Sequence, residues 1–393
     1  MERLQLQAEL TKAVKDLGYT EWTEIQKKAI PLIQAGKDVI GQSATGSGKT
    51  AAFGLPILEK VQHKAGIQVL IVVPTRELCE QVARELRKFS KYKKAFIASI
   101  YGGVSLEPQF DALRHAEIIV GTPGRLLDHL QRGSLRLSGV RILVLDEADK
   151  MLDMGFIDDI KRIISQTPKE RQTLLFSATI SSEVHAIAQR YMRHPEKVAV
   201  RSYVPREKLI QYYYDVPQND KFSLLVHLLK HEASGSVLVF CGTKRMVDVV
   251  AENLGRQGIQ AQALHGDLSQ DRRQKALGAF HEKKTRILVA SDVASRGLDI
   301  QHVQYVINYD ITKTAKEYIH RIGRTARAGR EGKVISLLAP LDHENFRRVL
   351  RDSAINVEKL KRPQFPRVPF IMPQRGRRFG SGGGYGGQRR RRY

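Results

Sequence analysis

Cysteine is almost missing from this chain: 393 residues include only Cys79 and Cys241, which excludes a disulfide scaffold. Cys79 follows a leucine in a helix-like stretch and Cys241 ends an apolar strand-like run, so both read as small buried hydrophobes. No metal-ligand cluster is visible in the spacing of His, Cys, Asp and Glu. Long apolar runs are missing too. The longest, such as Val69 to Val73, fall far short of a membrane span, and the first residues lack the apolar core of a secretory signal. A cytoplasmic protein is therefore expected, or a nuclear one in a eukaryotic cell. Acids are scarce beside bases, 41 against 65 for a net charge of +24, which favours a polyanionic partner such as nucleic acid.

What the chain does have is enough apolar residues, 42% of its length, to bury two ordinary cores. Strand-like runs recur at Val39 to Gly41, Val69 to Val73, Phe96 to Ile100, Ile118 to Val120, Ile142 to Leu145 and Thr173 to Phe176, with helical patterns between them. This alternation predicts an α/β fold with a parallel sheet covered on both faces and ligands at the carboxyl ends of its strands. The second half repeats the rhythm at Tyr212 to Val216, Val237 to Phe240, Gln262 to Leu264, Ile287 to Ala290, Val306 to Asn308 and Val334 to Leu338. The expected organisation is a first domain over 1–200, a linker over 201–208, a second domain over 209–360 and a basic tail over 361–393. That tail has ten cationic residues and no acidic one, interleaved with Pro, Gly and Ser, and is expected to be disordered.

Asp146, Glu147, Ala148 and Asp149 follow the run Ile142 to Leu145, so two adjacent carboxylates stand where a buried strand meets solvent. One can hold Mg²⁺ while its neighbour orients a water, as nucleotide hydrolysis requires. An acidic turn is the alternative for the tetrapeptide alone. A second motif changes that balance. Val39 and Ile40 lead into Ser43, Ala44, Thr45, Gly46, Ser47, Gly48, Lys49 and Thr50, followed by a helical run, which reads as strand, phosphate loop and helix. The glycines let backbone N–H groups face phosphate oxygens, Lys49 reaches the β- and γ-phosphates, and Thr50 is a Mg²⁺ ligand. Only Ser43 departs from the strict pattern, which has glycine there. The second half has no such loop, so its role is to complete the site of the first.

With these motifs in place, the chain resembles the DEAD-box RNA helicases over its globular part. The matching segments are Gly18 to Gln26, Ala44 to Thr50, Pro74 to Gln81, Gly102 with Gly103, Thr122 to Arg125, Asp146 to Asp149, Ser177 to Thr179, Val239 to Lys244, Ser291 to Ile300 and His320 to Arg330. The resemblance implies two tandem RecA-like domains facing each other across a cleft, with ATP and Mg²⁺ as cofactors and RNA as partner. It implies that Tyr19 stacks on adenine and Gln26 reads its edge. Here the chain departs from the family: Trp22 precedes Thr23 where proline precedes Thr or Ser, and Met1 stands about where an upstream aromatic is usual. Trp22 reads as a packing residue, with base stacking as the alternative.

The resemblance further implies that Asp146 acts on Mg²⁺ largely through its waters and that Glu147 activates the attacking water. Arg324 and Arg327 would come from the second domain as arginine fingers, one turn apart if helical. Ala326, between them, replaces the family's usual glycine, a change tolerated unless φ is positive there. Asp299 would bond the ribose, and Ser177, Thr179 and His320 would relay nucleotide state to domain closure. RNA would lie across both domains, on Pro74, Thr75, Arg76, Gly102, Gly103, Thr122, Pro123, Gly124 and Arg125 of the first and on Thr243, Arg273, Ser291, Arg296 and Gly297 of the second. These residue types suit phosphate and 2′-OH contacts and make binding independent of sequence. The function expected is an RNA-dependent ATPase that separates RNA duplexes locally. The alternatives are an RNA annealing protein whose ATPase times release, and a DNA-directed helicase.

Overall fold

The computed structural model describes residues 4–43, 46–200, 209–292, 303–326, 331–351 and 355–372. Ala44, Thr45, Arg296, Gly297, Asp299, Arg327, the linker 201–208 and the tail beyond Met372 lie outside the described residues. Among the described residues no helix is long and apolar enough to cross a membrane.

Two seven-stranded parallel sheets organise the chain. The first comprises β1 (Val39–Gln42), β2 (Val69–Val72), β3 (Ile97–Ile100), β4 (Ile118–Gly121), β5 (Ile142–Asp146), β6 (Gln172–Ser177) and β7 (Glu196–Ala199), in the order β3-β4-β2-β5-β6-β1-β7. The second comprises β8 (Leu209–Asp215), β9 (Val237–Cys241), β10 (Ala261–Leu264), β11 (Ile287–Ser291), β12 (Tyr305–Asn308), β13 (Gly332–Leu338) and β14 (Glu358–Lys359), in the order β10-β11-β9-β12-β13-β8-β14. Strand for strand, the second order repeats the first.

Because side chains alternate along a strand, each sheet feeds two cores. In β2, Val69 and Ile71 join the cluster under helices Glu24–Gln34, Lys49–Lys60 and Arg76–Phe89, while Leu70 and Val72 join the one under Pro123–Gln131 and Ile157–Ser165. In β9, Val237, Val239 and Cys241 face one core and Leu238 and Phe240 the other. Both cysteines are free and buried, as their apolar surroundings led one to expect.

The repeat extends to a charge. Lys221 opens the helix Lys221–His231 after β8, as Lys49 opens the helix Lys49–Lys60 after β1. The Lys221 ammonium is buried, 2.7 Å from Asp342 and 3.5 Å from Asp310, so its charge is answered from within its own lobe.

The expected tail boundary at 361 needs correction. Glu358 and Lys359 pair with Tyr212 and Tyr213 of β8, and the chain runs on as a strap to Met372. Phe365, Val368 and Phe370 pack on the core beneath helices Lys221–His231 and Lys244–Arg256, with the Phe370 ring centroid 4.8 Å from that of Phe222. Val368 N–H donates to Ser223 Oγ, Ile371 N–H donates to Asn253 Oδ1, and Arg367 pairs with Asp220 at 2.7 Å. The prolines hid this from composition: an extended proline-rich strap has no helical or strand periodicity, yet it still turns Phe365, Val368 and Phe370 inward. Truncation after Leu360 should therefore destabilise the second lobe by roughly 3 kcal/mol, the scale of removing buried aromatic side chains. Truncation after Met372 should leave urea unfolding unchanged. Equal midpoints for the two truncations would show that the strap contributes nothing.

Candidate nucleotide and RNA site

The phosphate loop follows β1. Gly46 and Gly48 adopt φ of 81° and 91°, the left-handed region in which a side chain is strained. At Gly48 a Cβ would also lie 2.3 Å from Gln26 Nε2. Ser43, the departure from the strict pattern, closes the loop: its N–H donates to Ser177 O at 3.0 Å and its hydroxyl lies 2.8 Å from that of Ser47. Lys49 Nζ donates to Ser43 O at 3.2 Å, which holds the ammonium over the loop. Thr50 follows as the next residue of the helix.

Gln26 is buried and ties two elements together. Its Nε2 donates to Gly48 O at 3.1 Å and its Oε1 accepts from Thr23 N–H at 2.8 Å, leaving one donor and one lone pair for a base edge. Tyr19 lies edge-on to Phe89 and 6.0 Å from Trp22, and burial pushes its hydroxyl up to about 12. Trp22 is half-buried against this cluster, the packing role read from the sequence.

The two carboxylates stand at the end of β5, next to β6. Burial pushes Asp146 up to about 6 despite the attraction of Lys49, and its carboxylate accepts a hydrogen bond from Glu147 N–H at 2.9 Å. A buried carboxylate that stands beside a second one, and that Lys49 and Lys150 do not bring down to the usual range, fits a divalent cation. With Thr50 it supplies only two ligands, which suits Mg²⁺, an ion that keeps several of its waters. Glu147 has φ of 53°, so the backbone turns sharply out of the strand here. Burial alone would raise Glu147, but Lys150, then Lys49 and Arg324, outweigh it and hold it ionised below the usual range. Asp149 accepts from Thr179 N–H at 2.9 Å and from Thr179 Oγ1 at 2.8 Å, and its N–H donates to Ser177 Oγ. Ser177 and Thr179 are thereby wired to the carboxylate motif.

Arg324 comes from the second lobe, is buried, and its charge acts on both Glu147 and Lys150. The helical spacing expected for it needs correction. The helix carrying His320 ends at Ile322, Arg324 lies beyond it, and Ala326 has φ of 55°, the strained case for a residue with a Cβ. Sequence reasoning passed over Arg321, which grips Asp292 through Nε at 2.6 Å and Nη2 at 2.7 Å and bonds Asn308, bracing this turn from below. It also passed over Lys150. Both are single cations in an otherwise recognisable motif, with no spacing signal of their own.

The expected RNA contacts sit at the carboxyl edges of both sheets. Thr75 and Thr243 cap helices, accepting from Leu78 and Met246 N–H, and Thr122 stands at the N-cap of the helix Pro123–Gln131. Three helix N-termini thus open at these edges, two in the first lobe and one in the second, and a helix N-terminus is suited to an anion. Pro74 and Pro123 are buried, and Gly124 is exposed. The Gly102-Gly103 pair makes room for Arg76, since a Cβ at Gly103, where φ is 80°, would lie 1.9 Å from Arg76 Nη1. Arg125 donates to Val104 O at 3.1 Å. Two more of the expected contacts have particular surroundings. Arg273 pairs with Glu77 of the first lobe at 2.8 Å, and Ser291 is buried with a hydroxyl that has no partner among the described residues.

Comparison with known proteins agrees with this geometry. The DEAD/DEAH box helicase profile matches residues 23–187 and the helicase conserved C-terminal domain matches residues 220–329. The DEAD-box ATP-dependent RNA helicase CshA of Geobacillus kaustophilus is 48% identical over 367 residues, covering 92% of this chain and 78% of that protein. S. cerevisiae Dbp5 bound to RNA and ADP BeF3 is 31% identical, with 90% of this chain and 94% of that one covered and a TM-score of 0.81. A DEAD box protein from Methanococcus jannaschii is 42% identical and covers 92% of this chain and 99% of its own, yet its TM-score is 0.56. The chain belongs to the DEAD-box ATP-dependent RNA helicase family.

Proposed function

We propose that this protein closes its two lobes on ATP and single-stranded RNA, separates short RNA duplexes by bending one strand, and reopens after hydrolysis. The observation that carries this reading is Arg324 of the second lobe buried in reach of Glu147 of the first. One lobe alone has an incomplete site.

In this reading Gly46, Gly48 and Lys49 bind the phosphates, while Gln26 and Tyr19 hold the base. Thr50 and Asp146 would hold Mg²⁺, which would supply charge neutralisation for the phosphates. Glu147 orients a water and accepts its proton as the water oxygen bonds to the γ-phosphorus and the bond to the β–γ bridging oxygen breaks. Arg324, with Arg327, stabilises the charge on the transferred group, and Asp299 bonds the ribose. The Asp149, Ser177 and Thr179 network passes loss of the γ-phosphate to the sheet edge, with His320 answering from the second lobe. RNA phosphates dock on the helix N-termini at Thr75, Thr122 and Thr243, beside Arg76 and Arg125. Arg296 and Gly297, outside the described residues, are assigned to RNA by their place in the motif alone. The cations beyond Met372 add affinity without sequence preference, by releasing counterions.

Stimulation by RNA but not by DNA of the same sequence, together with ATP-dependent strand separation, is the result expected of the whole chain. Glu147→Gln should lower RNA-stimulated turnover by ~100-fold or more with ATP binding retained, and Arg324→Ala by about 1,000-fold. Near wild-type turnover in either would remove that residue from the chemistry. Ala326→Gly should relieve left-handed strain and stabilise the second lobe by about 1 kcal/mol. A loss of stability in urea unfolding would mean that the strain is absent or otherwise compensated.

A further inference from the structure

Lys150 has no part in the scheme above, although it lies inside the site. The short helix Ala148–Asp153 brings it back over the residue that caps it, and Lys150 Nζ stands 2.5 Å from Glu147 Oε2. The two side chains are only 3% and 4% exposed, so this pair is out of water. An ammonium has three donors, and among the described residues its one acceptor is Glu147. Lys49 and Arg324 are close enough for their charges to act on it. A buried cation with a single partner, crowded by two like charges, is costly to keep. Stability is thus a poor reason for its presence.

Geometry supplies a better one. The last torsion of a glutamate side chain is broad and nearly two-fold, so an unanchored Glu147 carboxylate would sample many orientations. A base that takes a proton from an attacking water has to be held within tens of degrees of one orientation. The ion pair supplies that restraint at one oxygen, and the other carries no hydrogen bond from the described residues.

We infer that Lys150 is a positioning residue for hydrolysis, holding Oε2 of Glu147 so that Oε1 is presented to the water. This rests on the reading of Glu147 as the water-orienting group. It adds that the first residue after the acidic tetrapeptide sets how well that group works.

The test uses the full chain with saturating RNA, measuring turnover, single-turnover hydrolysis and ATP affinity. Lys150→Met should lower kcat by ~10-fold or more while KM for ATP and ATP affinity stay within about two-fold. Lys150→Arg, which can pair with the same carboxylate, should recover most of the loss. In a Glu147→Gln background, adding Lys150→Met should change single-turnover hydrolysis by less than about two-fold, because Lys150 then has no carboxylate to hold. If Lys150→Met fails to fold, Lys150→Gln is read out in the same way. Wild-type kcat in the Lys150 variant, weakened ATP affinity, or a full further loss in the Glu147→Gln background would each overturn the inference; the last two would point to direct phosphate contact. Undiminished turnover in Glu147→Gln alone would instead remove the role given to Glu147. Loss there with full turnover in Lys150→Met removes only the positioning role.

Discussion

The withdrawal of Asp146 and Glu147 from water at the end of one strand is the constraint on which the rest of this molecule depends. Two buried carboxylates side by side repel each other and lose their hydration, and proteins keep such groups only with cations in reach. Here Lys49 and Lys150 come from the same lobe and Arg324 from the other. The balance of charge at this point therefore spans both lobes. Anything that moves the second lobe changes the field in which the first would handle a triphosphate, and this is the physical content of coupling between nucleotide and lobe position.

A parallel sheet gives that constraint its reach. All strand ends carrying chemistry lie on one edge, so the phosphate loop after β1, the carboxylates after β5 and the Ser177 turn after β6 meet although they are far apart in sequence. The second lobe repeats the same strand order with a different outcome. Its lysine at the corresponding helix start, Lys221, is held by Asp342 and Asp310. One copy of the topology keeps an open lysine-and-carboxylate site, and the other closes it with its own side chains and offers Arg324 across the cleft. The Arg273–Glu77 pair bridges the two lobes at 13% and 8% exposure, so it is shielded from most of the screening that weakens surface pairs.

Much of this was legible in the sequence, because the phosphate loop and the acidic tetrapeptide are local: a few consecutive residues carry both the turn geometry and the chemistry. The strands were legible for a similar reason, since β2 and β9 are apolar throughout and β5 is apolar up to Asp146. What could not be read depends on partners remote in sequence. Nothing in the sequence signals that Arg273 stands beside Glu77 of the other lobe. The strap from Leu360 to Met372 looks like a tail because its prolines break every periodicity, and its partners, Ser223, Phe222 and Asn253, lie more than a hundred residues earlier. The helical spacing considered for Arg324 does not hold at that residue, because the helix ends at Ile322 and the backbone turns left-handed at Ala326.

The central claim is that ATP is hydrolysed with the lobes set as they are here, and the Glu77–Arg273 pair offers the most direct test. Arg273→Glu places two carboxylates against each other across the cleft, and the double variant Glu77→Arg with Arg273→Glu restores the attraction with its sign reversed. The account predicts that RNA-stimulated ATP turnover falls by roughly ten-fold or more in the single variant and returns most of the way in the double. Equal turnover in the single variant and the wild type, or no recovery in the double, would contradict it.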